Sequence, residues 1–229
     1  MQADIKTAEA HGIFCATAIT ALTAQNTNGV SGVLGVEADF VVKQIMAVLE
    51  DFDVNAIKVG MLGNEKIARA VGGILKDFKK PIVLDPVAIS RAGSKLLDDE
   101  AKLALMELFS LADIVTPNHF EAEYFGLKSD KNAKLQKGNF LIKNIAAASS
   151  EAVDRLFIDG TFKREFKTPF AQKNNTYGTG CTYSMSIACN LSLGLGLEEA
   201  IEKSKNYIYN AIKKAPDLGH GNGPIMHRV

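Results

Sequence analysis

The sequence predicts an α/β fold built on a mostly parallel sheet, and three observations carry that prediction. Apolar runs of strand length alternate with longer segments of helical periodicity through the first half of the chain, the rhythm of βαβ units. Ile82-Val83-Leu84 is continuously apolar, as a strand covered on both faces must be. Each run ends in polar residues or glycine, at Gln25-Asn26-Thr27, Gly60-Met61-Leu62-Gly63, Asp85-Pro86-Val87 and Thr116-Pro117-Asn118. Ligands of open parallel sheets sit outside the carboxyl ends of the strands, so these tips are candidates for one shared site.

In chain order, Phe14–Leu22 reads as a strand, Asp39–Phe52 as a helix and Ala56–Leu62 as a strand. Asn64–Phe78 reads as a helix with Asn64 placed to cap it, because an Asn side chain can accept from an unpaired first-turn amide. Pro81–Val87 is the next strand, Leu97–Leu111 the next helix and Asp113–Val115 the next strand. After Asn118 the pattern shifts to shorter strands at Phe140-Leu141-Ile142-Lys143, Asp154–Ile158 and Lys163–Thr168, the last two joined by the hairpin turn Asp159-Gly160. Helices are predicted from Thr182 to about Leu193 and from Leu197 to about Ala215, separated by Gly194-Leu195-Gly196. Asn28–Gly35, rich in Gly and Val, reads either as a mobile cover over a site or as a surface hairpin. Nothing in the chain marks a repeat, a linker or a break in composition, so one domain is expected over residues 1–229.

Composition narrows the chemistry. Lys plus Arg balance Asp plus Glu at 26 each, which disfavours a nucleic-acid groove or an anionic membrane surface and leaves small-molecule chemistry as the default. No apolar run approaches the roughly 20 residues of a membrane span, and Met1-Gln2-Ala3-Asp4-Ile5-Lys6 lacks a signal-peptide core, so a cytoplasmic location is expected. Cys15, Cys181 and Cys189 form no C-x-x-C pair, and His11, His119, His220 and His227 show no metal-ligand spacing. Cys15 and Cys189 read as small core residues. No early strand runs into G-x-G-x-x-G with an acidic residue about 20 positions on, which disfavours a nicotinamide-dependent oxidoreductase.

The most informative stretch is Asn175-Thr176-Tyr177-Gly178-Thr179-Gly180-Cys181, two glycines, hydroxyls and a thiol at the start of an apolar helical segment. Helix-start amides are unpaired and carry the positive end of the dipole, so glycines there let an anion approach closely. Gly178, Thr179, Gly180 and Cys181 are therefore a candidate anion hole for a phosphate in transit; the plainer alternative is a glycine-rich helix cap. Phosphoryl transfer asks a protein chiefly to align oxygens and neutralise charge on the moving group. Asn118 and Glu121 share one face if Pro117 opens a helix, and a carboxylate there can hold Mg²⁺ through water; the alternative is a helix-start Asn and a first-turn Glu. Asp85 is a second candidate beside metal or phosphates, or else a turn-forming Asp before Pro86. The Gln25 amide, at a strand tip, can both donate and accept a hydrogen bond.

Together these blocks resemble the ribokinase-like family of small-molecule kinases, and specifically its hydroxymethylpyrimidine (phosphate) kinases. The matching residues are Gln2-Ala3-Asp4-Ile5-Lys6-Thr7, Ile19-Thr20-Ala21-Leu22 with Ala24-Gln25-Asn26-Thr27, Lys58-Val59-Gly60-Met61-Leu62, Leu84-Asp85-Pro86-Val87, Thr116-Pro117-Asn118 with Glu121-Ala122, Gly178-Thr179-Gly180-Cys181, and Gly219-His220-Gly221 with Gly223-Pro224. They occur in the family's order and cover nearly the whole chain. The resemblance implies a three-layer sandwich with helices on both faces of the sheet. It also implies ATP and Mg²⁺ dependence, and phosphorylation of 4-amino-5-hydroxymethyl-2-methylpyrimidine and then of its monophosphate, in thiamine biosynthesis. Asp4, Gln25, Met61 and Val87 are then expected at the pyrimidine, Asn118, Lys143, Thr176 and Thr179 on the ATP side, and Asp85 and Glu121 near the metal. Lys143 otherwise reads as a solvated strand-end lysine. Cys181 stands where many ribokinase relatives carry an aspartate base. A helix N-terminus lowers a thiol pKa, which allows a thiolate base; alternatively the thiol packs against the pyrimidine. A homodimer is expected, since the segment equivalent to Asn28–Gly35 supports subunit pairing in relatives.

The alternatives are a pyridoxal kinase of the same scaffold, against which Cys181 speaks because the other branch carries Asp there, and a non-catalytic pyrimidine-binding protein. The match also departs in places. The family's opening strand and Gly-Ser-Asp-x-Ser-Gly-Gly-Ala-Gly segment have no counterpart before Gln2, so either the natural chain is longer, the favoured expectation, or the pocket is rebuilt. Asn144-Ile145-Ala146 replaces the usual Gly-Gly-His, and Lys128–Asn139 is barely long enough for a parallel crossover.

Overall fold

A computed structural model describes residues 1–88, 97, 99–145 and 150–229; position 98 of the predicted Leu97–Leu111 helix and Ala146 of the loop after Lys143 lie outside them. Six strands form the central sheet in chain order: β3 (Ile57–Val59), β4 (Ile82–Leu84), β5 (Ile114–Val115), β6 (Phe140–Ile142), β7 (Glu151–Ile158) and β8 (Thr161–Pro169). The first four are mutually parallel, and β7 and β8 add antiparallel strands. The β7–β8 turn is the expected one. Asp159 and Gly160 both take positive φ, +48° and +72°, the primed geometry that matches the twist of a hairpin.

Strand alternation divides the core into two layers, because successive side chains leave a strand on opposite faces. Ile82, Leu84, Val115, Phe140, Ile142 and Phe157 join one buried cluster; Val83, Ile114, Leu141 and Leu156 join the other. The first is completed by α3 (Glu65–Leu75) and α4 (Asp99–Glu107), through residues such as Ile67, Val71 and Leu105. The second is completed by α6 (Thr179–Ser192) and α7 (Leu197–Lys213), through Ile187, Ile201 and Ile208. This is the expected three-layer sandwich. The predicted cap of α3 is present, with Asn64 Oδ1 accepting from the Ile67 amide at 2.9 Å. α2 (Ala38–Leu49) lies within the predicted Asp39–Phe52 segment apart from its first residue, and α5 (His119–Tyr124) is a short helix between β5 and β6. That helix shares the crossover, so residues 116–139 as a whole, not Lys128–Asn139 alone, return the chain to the parallel register.

At the N-terminal end the expected Phe14–Leu22 strand and the expected core position of Cys15 both fail. Gln2–Ala10 is a helix, α1, packed on α6 with Thr7 and Ala8 buried. Phe14–Leu22 is not a strand of the sheet. Its backbone is held by a side chain instead, the Gln44 amide of α2 accepting from Ile19 N at 2.9 Å and donating to Ile19 O at 3.0 Å. Apolar content alone made it look like a strand, yet Phe14 is 78% exposed and stacks on Phe52, and Cys15 is only partly buried. The chain becomes extended later, at β1 (Ala21–Asn26), which pairs antiparallel with β2 (Gly29–Gly35) as a separate, exposed two-stranded sheet. Asn28–Gly35 thus forms the turn and second strand of a surface hairpin.

Candidate active site

Because β3, β4, β5 and β6 are parallel neighbours, their carboxyl ends open on one edge of the sheet. Gly60-Met61, Asp85-Pro86-Val87, Thr116-Pro117-Asn118 and Lys143 therefore come side by side, although they are spread over more than 80 residues of sequence. The first turn of α6 lies over this edge. Gly178 adopts the left-handed conformation, φ +85°, and helical geometry begins at Thr179, three residues earlier than the sequence predicts. A residue with a side chain resists that φ, which is why glycine stands at the bend. The shift places Thr179, Gly180 and Cys181 inside the first turn, where amides lack intrahelical partners. A Cβ on Gly180 would stand 3.7 Å from Lys143 Nζ and 3.9 Å from Asp85 Oδ2, so the turn rests directly on that pair.

Asp85 and Lys143 form a buried ion pair at 2.9 Å, and the Thr116 hydroxyl adds a longer contact of 3.3 Å to the same carboxylate oxygen. Burial alone would push the Asp85 carboxyl up. The Lys143 and Lys58 charges outweigh it and hold Asp85 below its ordinary value. Lys143, opposed by the same burial, is held protonated by Asp85 and Glu121. Backbone contacts fix its strand end: Lys143 N donates to Pro117 O, and the next residue, Asn144, turns at φ +56° with its amide bonded to Asp154 Oδ1 at 2.8 Å. Asp154 is itself paired with Lys205 of α7 at 2.7 Å.

Asn118 and Glu121 sit as expected on one short helix, but their side chains are engaged with the backbone as well. Asn118 caps α5 by accepting from Glu121 N, and Glu121 Oε2 accepts from Asn118 N, both at 2.9 Å, a reciprocal capping box. Burial, reinforced by the Asp85 charge, raises the Glu121 carboxyl to about 7 against the pull of Lys143 and the Asn118 amide. Two carboxylates that feel one another at a sheet edge, one of them reluctant to ionise, form a donor set that a hydrated divalent cation would relieve.

Lys58, inside the apolar β3, was not singled out for a role in the sequence. Its side chain is buried, with Asp4 Oδ1 of α1 3.0 Å from its ammonium. It folds back over its own strand end, since a Cβ on Gly60 would meet Lys58 Nζ at 2.9 Å. Burial disfavours its charge, but Cys181, Asp4 and Asp85 together raise its pKa. A charged type in the middle of a strand-like run is the signal that could have found it.

Cys181 opens α6 beside this cluster, and its chemistry differs from the helix-terminus expectation. Lys58 draws the thiol pKa down, but burial and the Asp85 and Asp4 carboxylates outweigh it, and the thiol lies above its ordinary value. Desolvation and acidic neighbours overrule the dipole here. Thr179 donates its hydroxyl to Thr176 O at 2.6 Å, which ties the turn together. Met61 lies at the end of β3 with its carbonyl held by the Thr20 hydroxyl at 2.7 Å, and Val87 follows Asp85 and Pro86 with its amide bonded back to Asp85 O. Gln25 stands apart from these residues, exposed on β1 where the register with β2 shifts. The hairpin is tied to the site side of the molecule through Thr27, whose hydroxyl accepts from His220 N at 3.3 Å and Gly221 N at 3.2 Å. The same C-terminal segment bonds through Gly223 to Tyr177 and Asn175. A Cβ on Gly221 would come within 2.3 Å of Thr27 O, so this contact requires glycine.

The profile of the phosphomethylpyrimidine kinase family matches residues 1–226. The chain is 40% identical to the thiamine biosynthesis bifunctional protein ThiED of Geobacter sulfurreducens, over 99% of this chain and 49% of that protein, about half its length. It is 37% identical to the hydroxymethylpyrimidine/phosphomethylpyrimidine kinase of Rhizobium meliloti, over 99% of this chain and 91% of that enzyme. Among solved structures, an ADP complex of Bacillus subtilis pyridoxal kinase superposes with a TM-score of 0.86 at 28% identity, over 99% of this chain and 91% of that one.

Proposed function

The chain belongs to the phosphomethylpyrimidine kinase family, and we propose that it transfers the γ-phosphoryl group of ATP to the hydroxymethyl group of 4-amino-5-hydroxymethyl-2-methylpyrimidine and then to the resulting monophosphate, in thiamine biosynthesis. The observation that carries the reading is the first turn of α6 resting on the Asp85–Lys143 pair, which sets helix-start amide dipoles beside a buried ammonium where a phosphoryl group would cross. In the first transfer the acceptor's alcohol oxygen bonds to the γ-phosphorus, the bond from that phosphorus to the β–γ bridging oxygen breaks, and ADP leaves. A thiol with a raised pKa is a poor base, so the alcohol proton goes to the transferred phosphoryl group or to water, and Cys181 serves by packing against the pyrimidine. Amides of Gly178, Thr179, Gly180 and Cys181 would stabilise the charge on the migrating group.

Asp4, Gln25, Met61 and Val87 line the pyrimidine side in this reading, and Gln25 reaches the ring when the β1–β2 hairpin covers it. Asn118, Lys143, Thr176 and Thr179 face the nucleotide. Mg²⁺, held through water by Glu121 beside Asp85, would offset charge on the ATP phosphates. Residues 1–229 act as one kinase domain in the cytoplasm; no helix among the described residues is long and apolar enough to cross a membrane. The exposed Leu22, Val30, Val33 and Leu34 of the hairpin favour assembly as a homodimer.

Product analysis tests the activity: the purified protein with ATP and the pyrimidine alcohol should give the monophosphate and then the pyrophosphate ester, with Mg²⁺ and not without it. Absence of any ADP release with either pyrimidine, as a non-catalytic pyrimidine-binding protein would behave, removes the reading. The likeness to a pyridoxal kinase favours pyridoxal as a second acceptor, and the same assay with pyridoxal measures it.

A further inference from the structure

The two transfers differ in what the acceptor brings. The alcohol is neutral, whereas the monophosphate carries a dianion into a site already facing the ATP phosphates, and a cation on the acceptor side is needed to admit it. Among the described residues two buried lysines flank the first turn of α6. Lys143 is bound to Asp85 at 2.9 Å on the β6 side, next to Asn118. Lys58 stands on the other flank, within β3 and three strands away, with Asp4 at 3.0 Å and its ammonium folded toward Gly60-Met61. Its charge is felt by both Asp85 and Cys181. An ammonium has three donors, and one carboxylate at ion-pair distance leaves it capacity for another anion. Asp4 and Met61 belong to the pyrimidine side, so Lys58 is the cation on the acceptor's flank.

We propose that Lys58 is the specificity-determining residue of the second transfer, its ammonium contacting the phosphate monoester of the pyrimidine monophosphate. This rests on the kinase reading above. In that step a monoester oxygen, already anionic, bonds to the γ-phosphorus, the bond to the β–γ bridging oxygen breaks, ADP leaves, and no base is required. Asp4 acts as a positioning residue by holding Lys58 toward the acceptor.

The experiment compares kcat/KM for the alcohol and for the monophosphate at saturating Mg²⁺-ATP in the wild type, Lys58→Met and Lys58→Arg. Loss of a charge-assisted hydrogen bond to phosphate predicts a fall in Lys58→Met that is about 10–100-fold greater for the monophosphate than for the alcohol, carried by KM, with partial recovery in Lys58→Arg. Equal losses on both acceptors, or none on either, overturn the proposal. Melting curves confirm that the variants fold. Should Lys58→Met not fold because Asp4 keeps the Met1 amino group at 3.0 Å as its one remaining cation, the Asp4→Asn/Lys58→Met pair, which removes both side-chain charges, carries the same comparison. A wild type that phosphorylates neither acceptor would instead count against the kinase reading itself.

Discussion

Glu121→Gln should stabilise the nucleotide-free, metal-free protein at alkaline pH and do little at acid pH. The carboxyl is buried at 4% exposure, feels Asp85, and is raised from about 4.5 to about 7. A carboxyl whose folded pKa exceeds its unfolded one binds protons more tightly in the native state. Its ionisation therefore destabilises the fold progressively as pH rises from about 4.5 to about 7, and the full penalty remains above that window. Integrated over the window, the cost is smaller than about 1 kcal/mol at pH 5 and about 3 kcal/mol at pH 8. Glutamine retains an oxygen to accept from Asn118 N, so the capping box survives while the charge is removed. For a chain of this size, a difference of about 2–3 kcal/mol corresponds to a melting-temperature gain of about 4–12 °C at pH 8, shrinking to about 1–4 °C at pH 5. Thermal unfolding in EDTA across pH 5–8.5 measures it. A gain that is constant with pH, or a variant less stable than wild type at pH 8, refutes the account of Glu121 as a carboxylate ionised at a cost.

Cys181→Ala should retain turnover within about tenfold of wild type, since a protonated thiol contributes packing and not proton abstraction; a fall of about 10²–10⁴, the usual worth of a general base, would restore the thiolate. Gly178→Ala should destabilise the protein by about 1–2 kcal/mol, because φ +85° is disfavoured for alanine, and should lower kcat more than it raises KM for the pyrimidine by displacing the first-turn amides. Denaturant titration and steady-state kinetics check the two parts, and unchanged kcat would separate the bend from the chemistry.

How much of this was legible in the sequence depends on the range of the forces involved. The parallel strands β3, β4 and β5 and the cap of α3 follow from local patterns, continuous apolar runs and an Asn ahead of an amphipathic segment, and they appear where expected. Phe14–Leu22 misled because a single distant side chain, Gln44, satisfies its backbone, and no local pattern encodes that. α1 was missed because its stability comes from docking on α6, not from an apolar stripe of its own. The start of α6 was misplaced by three residues because a glycine in the left-handed region can cap a helix where a sequence reader expects a loop.

At the site, the same division separates residue identity from electrostatic state. Asp85, Asn118, Glu121 and Lys143 were reachable because strand tips converge in any parallel sheet, so polar residues at those tips meet whatever the detail of packing. Their protonation was not reachable, since it depends on which charge faces which at a few ångströms. The Cys181 thiol shows this most directly: its position on a helix start argues for a lowered pKa, while burial, joined by two carboxylates from the end of β4 and from α1, reverses the sign. Lys58 lies in the same gap. Read along the chain it is a lysine in an apolar strand; read across the sheet edge it is the counterpart of Lys143 on the opposite flank of one helix turn. Two cations placed about the point of transfer suit an enzyme that must receive phosphate from both directions.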